Sequence, residues 1–108
     1  MKSREGAERR RIRLQGLIVE ELQSCLRDDV SDPALAGVRI TAAVLSSDCR
    51  HCRVHATAPA ARGDVEAALV RATPFLRARL ADAIEVKRVP DLRFVYEEVA
   101  AADDVEPS

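Results

Sequence analysis

The first half of the chain passes from a helical pattern of apolar positions to a strand-like one. Apolar residues recur at spacings of three and four, which predicts a helix over residues 8–30; they are Leu14, Leu17, Ile18, Leu22, Cys25 and Leu26. The run "DDVSDP" should end this helix, because a residue that precedes proline disfavours helical backbone. The apolar, β-branched run from Val38 to Ser47 then predicts a strand.

The next run, "HCRVHATA", alternates with a period of two and predicts a second strand. One face would carry small apolar side chains and the other polar ones: Cys52, Val54, Ala56 and Ala58 against Arg53, His55 and Thr57. The intervening "SSDC" is typical of a turn, since Ser and Asp side chains bond to nearby backbone groups. The two runs therefore predict an antiparallel hairpin.

A second helical pattern begins at Asp64, a favourable N-cap, and is interrupted by Pro74. Its apolar stripe comprises Val65, Ala68, Leu69 and Ala72 before the proline, and Phe75, Leu76, Leu80, Ala83 and Ile84 after it. The last run, "LRFVYE", alternates as a strand. The order α-β-β-α-kink-α-β predicts an α+β domain over residues 8–97, with the helices packed on one face of a three-stranded sheet.

The interruption itself suggests a binding site. Thr is a good N-cap and Pro is favoured at the first helical position, so two helices should meet at residues 72–73. The second helix would then present unpaired N–H groups and its positive dipole end to an anion such as phosphate. The predicted RNA-binding residues here are Arg71, Thr73, Arg77 and Arg79, with Lys87 and Arg88 adding charge beside them. The alternative is a simple kink with solvated arginines.

The net charge of −1 over 108 residues conceals opposite charges at the two ends. Residues 1–13 hold six basic and two acidic side chains, whereas residues 97–108 hold five acidic and no basic ones. We expect a flexible basic arm over residues 1–7 and a flexible acidic tail over residues 98–108. A second RNA-binding patch would comprise Arg9, Arg10, Arg11 and Arg13. Both ends could instead be solvated segments that favour solubility.

Composition narrows the class of protein. With 47% hydrophobic and 32% charged residues, the chain fits one soluble domain, expected as a monomer. It contains no long uncharged apolar run and no secretory signal, so we expect a cytoplasmic protein without a membrane partner. Aromatic residues make up only 3%, so nucleic acid would be bound through phosphates and shape rather than stacked bases.

Catalytic and metal sites are not indicated. The chain has no glycine-rich phosphate loop, no HExxH motif and no paired nucleophile and base, so we expect neither enzymatic activity nor a cofactor. The motif "CRHC" is a weak metal signal, because residues three apart on a strand point to opposite faces. We expect Cys25 and Cys52 to be core thiols and Cys49 to flank the turn.

Several segments, in order and spacing, resemble the ribosome-binding factor A family over Arg10 to Glu97. Arg10 and Arg13 open the first helix, and these segments follow: "DPAL", "SSDCRHCRV", "ATPFLRARL" and "VKRVPDLRFVYE". The resemblance implies a type II KH-like fold. It also implies a non-enzymatic factor that binds the small ribosomal subunit precursor and its ribosomal RNA and assists late rRNA processing and assembly.

The resemblance further implies roles for single residues. The family has an interhelical kink of the form Ala-x-Gly where other KH domains have a GxxG clamp. Ala72 and Thr73 match it, but Pro74 replaces the glycine, and proline has neither positive φ nor an N–H donor. Arg77 and Lys87 fall on recurrent basic positions of the family. Two alternative functions remain open: a generic RNA-binding module, and a protein–protein adaptor with an arginine-rich face.

Overall fold

A computed structural model describes residues 3–84 and 87–97 of the chain. The elements are α1 (Ser3–Asp28), a 3-10 turn (Pro33–Leu35), β1 (Arg39–Leu45), β2 (His51–Thr57), α2 (Arg62–Ala83) and β3 (Asp91–Tyr96). The strands lie in the order β1-β2-β3, with β1 antiparallel and β3 parallel to β2. The predicted α+β fold, with helices on a three-stranded sheet, is confirmed. The predicted tail over residues 98–108 lies outside the described residues.

The helices bury one face of the sheet. Cys52, Val54 and Ala56 of β2 are at most 1% exposed, so the predicted alternation of this strand is confirmed. A bulge between Ile40 and Ala42 shifts the register of β1. The other face, which we call the open face, carries Arg39, Ala42 and Val44 from β1, His51, Arg53, His55 and Thr57 from β2, and Asp91, Arg93 and Val95 from β3.

The core is aliphatic, as the scarcity of aromatic residues requires. Its largest fully buried side chains include Ile18, Leu22, Leu69, Leu76 and Leu80, which the two helices press onto the sheet. Burying such a side chain contributes roughly 1.5–3 kcal/mol. Helix–sheet packing in this domain therefore depends on aliphatic side chains.

The first helix is longer at its N-terminus than its apolar pattern indicates. It begins at Ser3 rather than at residue 8 and ends at Asp28 rather than at residue 30. The added residues lie outside the predicted stripe, so their apolar spacing gives no signal. The helix thus extends into the segment predicted as a flexible arm.

The prediction of two helices that meet at residues 72–73 is wrong. One helix, α2, runs through Pro74, and the Thr73 hydroxyl donates to the Leu69 carbonyl at 2.8 Å instead of capping a new helix. The N-cap of α2 is Ala61, so Asp64 lies within the first turn and is not the predicted cap. Phe75 is 43% exposed and does not belong to the core stripe.

A continuous helix is possible here because the core lies on both sides of the proline. Leu69, Leu76 and Leu80 form one buried stripe, whose burial outweighs the roughly 3 kcal/mol cost of an interior proline. Proline removes the N–H that would bond to the carbonyl of Val70. Val70 is 70% exposed, so water can reach this turn of the helix. Tertiary packing therefore overrides the local signal to restart.

Two glutamines of α1 bond to the backbone of β1 and of Val38, the residue directly before it. The Gln23 amide nitrogen donates to the Val38 carbonyl at 3.0 Å, and its oxygen accepts from the Ile40 N–H at 2.7 Å. The Gln15 oxygen accepts from the Leu45 N–H at 2.9 Å. The side chains thereby supply hydrogen bonds that an additional strand would otherwise make, and they fix α1 alongside β1.

We expect Gln23→Leu to lower the free energy of unfolding by about 1–3 kcal/mol, because it leaves a carbonyl and an N–H of β1 without their partners. Urea denaturation followed by circular dichroism measures the change. Ser24→Ala is the matched control on the same helix, since Ser24 bonds only weakly to Asp28, at 3.5 Å. Equal stability of the two variants would contradict the role assigned to Gln23.

Pro74→Ala should raise the free energy of unfolding by about 1–3 kcal/mol, because alanine restores the hydrogen bond to Val70 within a helix that is already continuous. The gain is read from the same denaturation curves. Pro33→Ala is the control, since Pro33 opens a 3-10 turn where its fixed φ is suitable. A loss of stability in Pro74→Ala would show that the helix depends on the proline.

Candidate nucleic-acid interface

Three separate segments meet at one end of the sheet and form a groove. The hairpin turn, the connection from α2 to β3 and Leu14 of α1 enclose about 360 Å³. We call this the basic groove; its lining residues are Leu14, Asp48, Cys49, Arg50, Lys87, Arg88 and Pro90. An adjoining cavity of about 280 Å³ shares Arg50 and Arg88 with it and adds His51, Arg77, Val89 and Asp91. Arg50, Lys87 and Arg88 are all exposed there.

The hairpin turn is fixed by its own polar side chains. The Asp48 carboxylate accepts from the Ser46 hydroxyl at 2.6 Å and from the Arg50 N–H at 3.0 Å. These two hydrogen bonds, the Ser46 bond first, lower the pKa of Asp48 below its usual range. Cys49 adopts a left-handed φ of 59°, which closes the turn and directs the chain into β2. Arg50 is thereby held at the groove.

Arg77 positions the other wall of the groove. Its guanidinium donates to the Val89 carbonyl at 2.9 Å and to the Pro90 carbonyl at 3.3 Å, and lies 3.6 Å from Asp91. These bonds fasten the connection that carries Lys87 and Arg88 to α2. The structure thus places Arg77, predicted to contact RNA, among backbone carbonyls of its own chain.

The predicted arginines of α1 lie in the part of the helix that precedes Leu14, the α1 residue that lines the groove. Arg10 lies one helical turn before Leu14, on the same side of α1, because residues four apart are neighbours on a helix. Arg9, Arg10 and Arg13 are exposed, whereas Arg11 pairs with Glu8. The predicted α1 patch therefore supplies three exposed arginines along the helix before Leu14, and the Arg10 guanidinium lies beside Gly6, one turn farther from the groove.

The remaining predicted residues lie elsewhere, against carboxylates. Arg71 pairs with Asp32 at 2.9 Å, and its hydrogen bond is the main cause of the lowered pKa of Asp32. Arg79 pairs with Asp29 at 2.9 Å and approaches Glu21 at 3.9 Å. Arg71 and Arg79 face the segment at the C-terminal end of α1, whereas the Thr73 hydroxyl bonds within α2, to the Leu69 carbonyl. The structure therefore divides the predicted cluster into a neutralised part on α2 and a basic part at the groove.

The thiols follow the prediction for core residues. Cys25 and Cys52 are at most 1% exposed, and burial raises the pKa of Cys52 to about 11. Burial also raises the pKa of Cys25.

Within residues 3–84 and 87–97, no group of three or more His, Cys, Asp or Glu side chains is arranged to hold a metal ion. In the same ranges, no helix is long and apolar enough to cross a membrane.

Comparison with known proteins identifies the family. The family model described as ribosome-binding factor A matches residues 10–106. The chain belongs to this family. Ribosome-binding factor A of Heliobacterium modesticaldum is 40% identical over 89 residues, which cover 80% of this chain and 74% of that protein. The resemblance drawn from the sequence is confirmed.

Solved structures of ribosome-binding factor A share the fold. The crystal structure from Thermus thermophilus is 27% identical, with a TM-score of 0.76 over 80% of this chain and 93% of that one. A homology model of the Thermus thermophilus factor, fitted into a cryo-EM map of its complex with the 30S subunit, is also 27% identical. It has a TM-score of 0.71 over 83% of this chain and 97% of that one.

Arg50 is the groove residue that sequence reasoning missed. It becomes a neighbour of the connection from α2 to β3 only because β2 and β3 are parallel and in register, with His51 opposite Asp91. The Asp91 N–H donates to the Arg50 carbonyl at 2.9 Å and fixes this approach. The only sequence signal was a basic residue directly after a turn, which by itself indicates no partner.

We expect Arg77→Met to lower the free energy of unfolding by about 1–3 kcal/mol, because two carbonyls lose a charged donor while the apolar stem is retained. Arg88→Met, an exposed change on the attached connection, should stay within about 0.5 kcal/mol of the unaltered protein. Urea denaturation compares the two. If Arg77→Met were as stable as Arg88→Met, the positioning role of Arg77 would be wrong.

Proposed function

We propose that this chain is a ribosome maturation factor that binds the small-subunit precursor and its ribosomal RNA and assists late rRNA processing and assembly. Membership of the ribosome-binding factor A family supports the ribosomal partner. The basic groove is the observation that supports an RNA contact, since Arg50, Lys87 and Arg88 come from two segments that the fold brings to one end. The chain acts by binding, without a catalytic step, as a monomer in the cytoplasm.

The groove has the chemistry that RNA backbone requires. Phosphate contacts supply most of the affinity of nucleic-acid binding and release counterions, so binding weakens steeply with salt. An exposed arginine or lysine side chain that forms no ion pair within the protein can bind a phosphate without breaking an existing contact. Arg71 and Arg79 would first have to leave Asp32 and Asp29. Lys87, Arg88 and Arg50, together with Arg9, Arg10 and Arg13, therefore carry the proposed contact.

Aromatic stacking contributes little to this proposal. Phe94 and Tyr96 pack against the core, and the Tyr96 hydroxyl donates to the Ala58 carbonyl at 3.1 Å. The Tyr96 ring is also covered by Arg62 at 5.6 Å. These two rings are committed to the fold, and Phe75, which is 43% exposed, is not among the residues that line the basic groove. Binding should consequently depend on phosphates and on the shape of the RNA rather than on individual bases.

Co-sedimentation with purified small subunits, mature and immature, tests the proposal. The charge-reversal variant Lys87→Glu/Arg88→Glu should bind about tenfold more weakly at physiological salt, because at least two phosphate contacts are lost. The control is Arg27→Glu/Arg39→Glu, which reverses two charges at the opposite end of β1. This control should bind as the unaltered protein does.

The other outcomes separate the alternatives. No binding of the unaltered protein to either form of the small subunit would overturn the proposed function. Equal binding to large and small subunits would indicate a generic RNA-binding module. Binding that survives excess oligouridylate and both pairs of substitutions would indicate a protein–protein adaptor. Circular dichroism of each variant shows that the fold is retained.

A further inference from the structure

The open face of the sheet carries two arginines side by side. Arg53 of β2 and Arg93 of β3 are register partners, and both are exposed. Neighbouring strands lie about 4.8 Å apart, so two positive charges are held close together by the backbone. Like charges directly opposite each other destabilise a sheet unless something neutralises them.

Nearby carboxylates are engaged with other groups. Asp91 lies 3.6 Å from Arg77 and 3.9 Å from His51. Glu97 accepts from the Thr41 hydroxyl at 3.0 Å and pairs with His55 at 2.8 Å. Among the residues that the structure describes, neither Arg53 nor Arg93 forms an ion pair with a carboxylate. The pair is therefore suited to an external anion.

The position of the pair indicates which anion. His51 and Asp91 line the cavity that adjoins the basic groove, and they form the row next to Arg53 and Arg93. Two residues along a strand correspond to about 6.6 Å. Positive charge therefore lies on both sides of this row, at Arg50 and Arg88 before it and at the arginine pair after it. Within the row, the Asp91 carboxylate lies near two basic side chains, Arg77 and His51. Two groups of cations separated in this way fit a polyanion with spaced charges better than a compact anion.

The neighbouring surface leaves room for such a strand. Val44, the β1 partner of Arg53, is 40% exposed, and the next row consists of Ala42, His55 and Val95. These side chains make a low surface beside the guanidinium groups. Glu97, bonded to His55, places negative charge beyond this row and limits how far a polyanion can extend.

We propose that the single-stranded RNA bound in the basic groove continues across the open face, where Arg53 and Arg93 bind its next phosphates. This inference rests on the proposed function, because the strand enters from the groove. It assigns the sheet surface opposite the helices, rather than the exposed side of α2, as the route of the RNA.

Oligouridylates of two lengths test the route. Single-stranded sites on OB folds span roughly 4–16 nucleotides. A fluorescently labelled oligomer of about 4 nucleotides should fill the groove alone, and one of about 12 nucleotides should also reach the open face. Fluorescence anisotropy gives the affinity of each oligomer over a series of salt concentrations. A plot of the logarithm of the binding constant against the logarithm of the salt concentration has a slope of roughly 0.7 for each phosphate bound in a single strand. The slope therefore gives the number of phosphates that the protein binds.

Arg53→Gln/Arg93→Gln should make the slope for the longer oligomer shallower by about 1.4, because two phosphate contacts are lost, and leave the shorter one unchanged. Arg27→Gln/Arg39→Gln is the matched control: it also removes two charges, one of them on the open face beyond His55. This control should change neither slope. The melting temperature of Arg53→Gln/Arg93→Gln should rise, because the repulsion between the two strands is removed.

Suppose that the salt slope for the longer oligomer is unchanged in Arg53→Gln/Arg93→Gln but becomes shallower in Lys87→Gln/Arg88→Gln. This result would overturn the proposed route across the open face and would leave the proposed RNA contact in the basic groove standing. Unchanged slopes in both pairs of variants would count against the RNA contact in the proposed function as well. If Arg53→Gln/Arg93→Gln bound the oligomers normally but no longer bound the small subunit, we would conclude that the open face contacts a ribosomal protein. That result would also contradict the proposed route of the RNA. A fall in melting temperature would contradict the repulsion on which the inference depends.

Discussion

Parallel pairing of β2 with β3 is the constraint on which the rest of the structure depends. Parallel neighbours need a crossover connection, and α2 supplies it, so one helix both links the strands and covers the sheet. The same pairing sets His51 opposite Asp91 and brings the start of both strands to one end. The hairpin turn and the connection that carries Lys87 and Arg88 must then meet. Arg77 completes the arrangement by bonding that connection to α2.

Charge separation in this protein is a product of packing rather than composition. The net charge is −1, yet the carboxylates near the C-terminus of α1 are used by arginines of α2. Pairing Arg71 with Asp32 and Arg79 with Asp29 neutralises the side of α2 that faces the C-terminal segment of α1. Among the residues that the structure describes, Arg50, Lys87 and Arg88 of the basic groove form no such ion pair. Such an asymmetric field can orient an approaching polyanion even when the molecule as a whole is nearly neutral.

Features that depend on local periodicity could be predicted from the sequence, and features that depend on distant pairing could not. Cys52, Val54 and Ala56 alternate with polar residues, so the buried face of β2 was evident. Pro74 gave a local restart signal, but leucines on both sides of it belong to one buried stripe, and packing prevailed. Arg77 looked like a binding residue, because its carbonyl partners lie 12 and 13 residues away. The link between Arg50 and Arg88 needs the parallel register, which no short pattern encodes.

The glutamines of α1 have a consequence for how the molecule meets others of its kind. An edge strand with free N–H and carbonyl groups is a template for another chain, and strand-to-strand association of this type leads to aggregation. Gln15 and Gln23 occupy such groups along β1 with side-chain amides, which mimic a neighbouring strand but cannot extend the ladder. That edge is therefore protected against recruitment of a second molecule. Protection comes from within the fold and needs neither added charge nor a proline on the strand.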